Sequence, residues 1–310
     1  MTNQDASGKA HIYNIQHFCT HDGPGIRTVV FFKGCQLKCG WCANPESQST
    51  KDEIGFFRDK CRMCGACQLA CDSGAIDIRS ERRINRSLCT RCGQCAEVCP
   101  YDAYKLFGEY KTCDQLVERV LRDRPFYRKS GGGVTASGGE PTLQLGFLIR
   151  FFHALKREGI HTALETHGYF PAEKLASLAE CTDTFLFDIK HTDSAAHQRH
   201  TGVPNELILQ NIYELAVVHR ADVVMRVPLI PGFNDDDGNL TATARLARRL
   251  SQQGTLKGVH LLKFHNLAIS KYAALEREYA YGTTAPYTAE RFDHIVGTFR
   301  AEYPNVVIGG

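Results

Sequence analysis

Eleven of the fourteen cysteines in this 310-residue chain fall into three tight clusters, a spacing that points to metal rather than to disulfides. The first cluster, Cys35-x3-Cys39-x2-Cys42, offers three thiolates from one short stretch and no obvious fourth. A zinc site normally takes four protein ligands, or three and a water, often with histidine among them. A four-iron cluster held by only three thiolates leaves one iron open to a small ligand, so the spacing favours iron–sulfur over zinc. The other two clusters, Cys61-x2-Cys64-x2-Cys67-x3-Cys71 and Cys89-x2-Cys92-x2-Cys95-x3-Cys99, repeat one theme. Together they match the two-cluster bacterial ferredoxin run, in which the fourth cysteine of each run ligates the other cluster. That pairing puts Cys61, Cys64, Cys67 and Cys99 on one cluster and Cys89, Cys92, Cys95 and Cys71 on the other. Pro100 follows the second run, whereas Asp72 stands where a proline usually follows the first. Such clusters relay single electrons or staple a small insert, and the sequence leaves both roles open. Cys19, Cys113 and Cys181 stand apart and read as free or buried thiols.

The elements that must position these thiols show in the apolar pattern. Six β-branched or aromatic-rich runs read as strands: Thr28–Gly34, Gly133–Ser137, His161–Glu165, Thr184–Ile189, Val223–Leu229 and Gly258–Phe264. Helical spacing lies between them. Leu116, Val117, Val120 and Leu121 mark one helix, with Thr112 and Gln115 as its capping box; Phe147, Leu148, Phe151, Phe152 and Leu155 mark another, and Leu246 and Leu250 a third. Strand alternating with helix implies parallel βα units, and six of them suit a partial (β/α)6 barrel, with a doubly wound open sheet as the alternative. Either way the active site belongs at the carboxyl ends of the strands.

One connection breaks the rhythm. Roughly seventy residues separate the first strand from the helix opened by Thr112, far beyond an ordinary βα loop. Eight clustered cysteines lie there, and the stretch reads as a ferredoxin-like insert over 51–107. Residues 1–50 and 108–310 then form the two parts of the barrel. Gly131 to Gly133 read as a flexible entry loop.

Composition narrows the partners. The 37 basic and 34 acidic residues give a net charge of +3, with no push towards nucleic acid or an anionic membrane. Met1 to Lys9 is polar, and runs such as Val29–Phe32 are far too short to span a bilayer, so a cytoplasmic protein is expected.

Cys35-x3-Cys39-x-Trp41-Cys42 resembles the hallmark of the radical S-adenosylmethionine superfamily, with its aromatic before the third cysteine. The flanking residues Asp22-Gly23-Pro24-Gly25-Ile26-Arg27, Phe31, Gly34 and Ala43-Asn44-Pro45 resemble the glycyl-radical-enzyme activases, of which pyruvate formate-lyase activase is the best-known. The likeness covers nearly the whole chain, and the ferredoxin-like insert is similar to the larger activase subgroup.

That resemblance implies roles at the strand ends. Gly138, Gly139 and Glu140 match the segment that holds the methionyl amino group; glycines allow close approach, and a carboxylate accepts from an ammonium. Trp41 belongs to the cysteine loop beside the cofactor. Thr166 and Asp188 match segments that contact S-adenosylmethionine and bind a monovalent cation near its carboxylate. Glu165 stands where the simplest member has aspartate, which leaves that cation site open to question. Lys190 pairs with the cofactor or with Asp188, and both readings stand. Arg226 matches an Arg-Val-Pro segment near the ribose and carboxylate, and His265 lies near the adenosyl group by its strand-end position.

The resemblance implies three [4Fe-4S] clusters, S-adenosylmethionine, and flavodoxin or ferredoxin as reductant. Reductive cleavage of the sulfonium gives methionine and a 5′-deoxyadenosyl radical, which removes a Cα hydrogen from a glycine of a partner glycyl radical enzyme. Asp22 is expected to help receive the partner's glycine loop. Two rivals remain: a radical enzyme acting on a small molecule or another peptide, and a non-catalytic electron-transfer protein.

Overall fold

The computed structural model describes residues 8 to 309. Eleven strands form: β1 Lys9–Cys19, β2 Arg27–Phe32, β3 Glu53–Phe56, β4 Tyr104–Phe107, β5 Glu109–Thr112, β6 Gly133–Gly138, β7 His161–Thr166, β8 Thr184–Asp188, β9 Val223–Leu229, β10 Leu256–Lys263 and β11 Val306–Ile308. Nine of them make one sheet in the order β11-β10-β9-β8-β7-β6-β2-β1-β5. From β2 to β11 every neighbouring pair is parallel.

All six expected strands are present, each within two residues of its expected ends. Their order follows the chain without the reversal that marks a doubly wound sheet. The sheet is open: no pairing joins β11 to β5 among the described residues. Three further strands extend it, namely β11 and the antiparallel pair β1 and β5. Helices over Cys113–Leu121, Leu145–Arg157, Leu175–Cys181, Glu206–Tyr213, Asp237–Gln253 and Ala289–Glu302 lie between and after the parallel strands and bury their apolar faces on the sheet. Thr112 and Gln115 form the reciprocal capping box that the sequence suggested.

The cysteine-rich stretch folds beside this sheet around its own small core. β3 and β4 pair antiparallel, and Ile54, Phe56, Ile76, Ile84 and Tyr104 pack with Cys67 and Cys95. The doubled sequence becomes a doubled backbone. Gly65 (φ 83°) and Gly93 (φ 86°) each precede a one-turn helix, Ala66–Leu69 and Gln94–Glu97, and Met63 (φ 57°) and Arg91 (φ 63°) take the same left-handed turn before them.

Candidate active site

A cavity of about 350 Å³ opens at the carboxyl ends of the parallel strands. Cys35, Cys39, Trp41 and Cys42 enter it from the loop after β2; Ser137, Gly138 and Gly139 end β6, Glu165, Thr166 and His167 end β7, and Asp188 and Lys190 follow β8. Arg226 reaches in from β9, His265 from just beyond β10, and Asp22 from the segment before β2. Every expected residue of the site except Glu140 lines this one space.

Four residues anchor the cysteine loop. Gly34 N–H donates to the Ser47 carbonyl at 2.7 Å, and Lys38 N–H donates to the Thr201 carbonyl at 2.8 Å. Lys271 reaches across from a distant helix to the Ala43 carbonyl (3.1 Å), Asn44 Oδ1 (2.8 Å) and Glu46 Oε1 (2.8 Å). Arg277 donates to the Pro45 carbonyl at 2.6 Å. Neither Lys271 nor Arg277 carries a local sequence signal, because each meets its partners more than two hundred residues away in the chain. Trp41 is buried and packs on Phe233 with ring centroids 4.5 Å apart.

The glycines of the Gly138-Gly139 pair serve first to bring two backbones together. A Cβ on Gly138 would lie 2.5 Å from the Phe32 carbonyl, and one on Gly139 would lie 2.1 Å from the Gly34 carbonyl. Gly139 N–H and Glu140 N–H donate to those two carbonyls at 2.9 and 2.8 Å, so the end of β6 is sewn to the start of the cysteine loop.

Glu140 stands behind the cavity wall rather than in it. Its side chain is fully buried and accepts from Thr142 Oγ1 (2.8 Å), Thr166 Oγ1 (2.8 Å) and His167 N–H (3.1 Å). Its carboxylate therefore orients Thr166 and His167, which do face the cavity.

Charge inside the cavity is arranged in pairs. Arg226 Nη1 lies 2.7 Å from Glu165 Oε1, and Lys190 Nζ donates to Asp188 Oδ2 at 2.7 Å. Ser137 Oγ donates to the other Glu165 oxygen. Burial pushes the Lys190 ammonium down, but Asp188 and Cys39 outweigh it and hold Lys190 above the usual lysine range. Burial pushes the Cys39 thiol up to about 12 and the Cys35 thiol further. Thiols so placed become thiolates only against strong positive charge, which a metal centre supplies. Asp188 Oδ1 and Arg226 Nε are buried with no hydrogen-bond partner, so one acceptor and one donor still await a polar ligand. Three thiols without a fourth cysteine, three carboxylates and three cations (Lys190, Arg226 and Lys263) suit a cluster and a zwitterionic cofactor. His265 is exposed at the rim.

Below the cavity, the Asp22–Arg27 segment packs against the entry to β6. Thr135 Oγ1 donates to the Asp22 carbonyl at 2.7 Å, and the fully buried Arg27 donates to Thr135 Oγ1 (2.6 Å), the Val134 carbonyl (2.7 Å) and the Pro24 carbonyl (3.1 Å). Gly132 and Gly133 are a close-packed floor here, which corrects the entry-loop expectation for those two, while Gly131 is exposed with open space around it. A Cβ on Gly132 would lie 1.9 Å from the Ile26 carbonyl, and one on Gly133 would lie 2.0 Å from the His161 carbonyl.

The remaining cysteines line two small cavities of the insert. Cys61, Cys64, Cys67 and Cys99 share one, and Cys71, Cys89, Cys92 and Cys95 share the other. Among the described residues, no three His, Cys, Asp or Glu side chains already stand in closed metal-ligating geometry. Cys19 and Cys181 are buried thiols, and Cys113 is half-buried. No helix of the described residues is long and apolar enough to cross a membrane.

The sequence profile of the radical SAM superfamily matches residues 29–243. The choline trimethylamine-lyase activating enzyme of Oleidesulfovibrio alaskensis is 42% identical over 275 residues, covering 87% of this chain and 88% of that protein. The (2S)-3-sulfopropanediol dehydratase activating enzyme of Klebsiella oxytoca is 40% identical over 274 residues, covering 86% of each. Among solved structures, Streptococcus suis SuiB bound to precursor peptide SuiA gives a TM-score of 0.51 at 13% identity, over 91% of this chain and 48% of that one, a likeness of fold alone. With the three-cysteine loop, the strand-end cavity and relatives matched over most of their length, this chain belongs to the radical SAM superfamily and, within it, to the activating enzymes of glycyl radical enzymes.

Proposed function

We propose that the strand-end cavity takes S-adenosylmethionine beside a cluster held by Cys35, Cys39 and Cys42, and that the open sheet is a partial (β/α)6 barrel which receives the partner's glycine loop. The observation that carries this reading is the meeting of three thiols from one loop with Glu165, Asp188, Lys190 and Arg226 in a single cavity. Bound there, cluster and cofactor together supply a one-electron cleavage that yields a 5′-deoxyadenosyl radical able to take a Cα hydrogen.

The protein's own part is alignment and exclusion. Arg226 presents its free Nε to an anionic or hydroxyl group, and Asp188 presents its free Oδ1 to a donor. Thr166, fixed by Glu140, adds a hydroxyl at the end of β7. Lys190, held by Asp188, offsets negative charge beside the Cys39 thiol. Gly138 and Gly139 hold the wall to the cysteine loop, Trp41 backs that loop, and His265 stands exposed at the mouth, where it would meet the adenosyl group. With Arg226 on Glu165 and Lys190 on Asp188, these carboxylates already have cationic neighbours, so we propose no separate monovalent cation.

The insert is read as ferredoxin-like over 51–107, with the Cys61, Cys64, Cys67 and Cys99 cavity taking one [4Fe-4S] cluster and the Cys89, Cys92, Cys95 and Cys71 cavity another. The shared lining of each cavity and the repeated backbone support it. Flavodoxin or ferredoxin would supply electrons, and a cytoplasmic setting would keep the thiols reduced.

The test is anaerobic. Reconstituted protein is reduced and given S-adenosylmethionine, and 5′-deoxyadenosine is measured for wild type and Cys39→Ala. Product from wild type alone supports the reading. No product from wild type with its clusters confirmed, even with a partner glycine-loop peptide present, overturns it.

A further inference from the structure

The two thiol cavities of the insert differ in their surroundings. Arg83 is 6% exposed, and its Nε and Nη1 have no hydrogen-bond partner. Its Nη2 meets the Met63 sulfur at 2.6 Å, and its guanidinium lies over the Phe56 ring at 5.5 Å. Phe56 in turn packs on Tyr104, with centroids 4.9 Å apart. Met63 and Tyr104 both line the cavity of Cys61, Cys64, Cys67 and Cys99. The Tyr104 hydroxyl is also buried, beside Cys67 and within electrostatic reach of Arg83. A buried cation with two idle donors is costly to leave uncompensated, so something negative belongs beside it.

The other cavity has no such neighbour. Its lining of Ile54, Ser73, Ala75, Ile76, Ile84, Thr90, Gly93 and Gln94 around the four thiols carries no charged side chain. Arg91, next to Cys92, is exposed, and Arg86 is already paired with Glu276 at 3.2 Å. A charge in solvent acts far more weakly than a buried one.

The cavities also sit at different ends of the insert. Glu53, at one end of β3, is tied to the main sheet through Lys33 and Arg277. Its neighbour Ile54 lines the Cys89-containing cavity. Tyr104, paired with Phe56 at the far end of that ladder, lines the Cys61-containing cavity; each cavity has one exposed cysteine, Cys64 here and Cys92 in the other, so exposure does not tell them apart.

Resting on the cluster ligation proposed above for the insert, we propose that Arg83 is the positioning cation of the outer cluster site and makes that site the first of the two insert sites to accept an electron. A reduced donor loses one electron and the outer site gains it, with no bond made or broken and no proton moved. The added negative charge falls beside a desolvated guanidinium, which favours the reduced state there. An electron entering the insert thus settles first at the end furthest from the main sheet.

The test is a dithionite titration with mediators on anaerobically reconstituted protein, followed by electron paramagnetic resonance. Iron is counted first: about twelve per chain is required, and about four would defeat the cluster reading of the insert rather than the role of Arg83. In wild type, the insert signal that appears first should be altered by Cys64→Ser and not by Cys92→Ser. In Arg83→Met its midpoint should fall by at least a tenfold change in the reduction equilibrium, about 59 mV for one electron, and Arg83→Lys should recover most of it. An unchanged midpoint at full iron content overturns the proposal. If Arg83→Met does not take up its iron, the two cysteine variants still decide: a first signal belonging to Cys92 also overturns it.

Discussion

The Arg226 guanidinium stands 2.7 Å from a Glu165 carboxylate oxygen, and both side chains face the cavity that also holds Asp188. Burial pushes the Glu165 carboxyl up despite Arg226, while burial pushes Arg226 down and the Glu165 and Asp188 carboxylates more than restore it. Removing the cation leaves Glu165 without its partner at the cavity wall, while Asp188 keeps Lys190. Arg226→Met should therefore cost about 1–3 kcal/mol in thermal or denaturant unfolding, less than at a fully buried pair because both side chains border the open cavity. The double variant Glu165→Gln with Arg226→Met should recover part of that loss. A double variant no more stable than Arg226→Met alone would show that the pair is not its source.

A second prediction concerns pH. His197 is buried with Nδ1 2.7 Å from the Val203 carbonyl, and burial pulls it from its ordinary value down to about 4. The neutral ring is thus favoured in the folded state. Its contribution is present above about 6.5 and is lost as pH falls through about 4, reaching roughly 2–3 kcal/mol at full protonation. Thr201 packs on His197, and the Thr201 carbonyl holds Lys38 of the cysteine loop. Unfolding measured between pH 7 and pH 4 should be flatter in His197→Gln than in wild type, and parallel curves would remove His197 as the source.

The Gly132 contact yields a third. A Cβ there meets the Ile26 carbonyl at 1.9 Å, backbone against backbone, with no side chain free to swing aside. Gly132→Ala should destabilise by about 1–3 kcal/mol, as overpacking does. Gly131→Ala tests space separately from φ: nothing lies within 4 Å of its Cβ, but its φ of 68° is unfavourable to alanine. Its smaller loss, about 1–2 kcal/mol, should come from the backbone alone. Equal losses at both positions would mean that the Ile26 contact is relieved cheaply.

Much of this was legible because parallel strands buried on both faces read as apolar runs. Val223–Leu229 was bounded to the residue, and the helical stripe of Phe147, Leu148, Phe151, Phe152 and Leu155 is buried throughout. β1 was missed because Lys9, His11, Asn14, Gln16 and His17 interrupt its apolar residues; His11 is buried against Gln144 and Asp52, partners that no local pattern announces. Of the site, the cysteines and strand ends could be found from spacing. The direction of Glu140 could not, since a carboxylate beside two glycines reads the same whether it faces a ligand or, as here, Thr142 and Thr166. Lys271 and Arg277 were invisible for a related reason: their partners exist only once the chain has folded across more than two hundred residues.

Asp22 is the one acidic residue lining the cavity that comes from outside the strand ends. Its backbone is pinned by Thr135 and its loop by buried Arg27, and it lines the cavity within electrostatic reach of Glu165 and Arg226. We propose that it helps receive the partner's glycine loop. Asp22→Asn keeps the size and leaves the backbone contact with Thr135 intact. With a cognate glycyl radical enzyme, the ratio of glycyl radical formed to 5′-deoxyadenosine released should fall at least about tenfold, equivalent to about 1.4 kcal/mol at the transfer step. Paramagnetic resonance and product chromatography on the same sample give both quantities. A ratio equal to that of wild type would take Asp22 out of the receiving role, whatever happens to the absolute rates, because a defect confined to cofactor cleavage lowers both together.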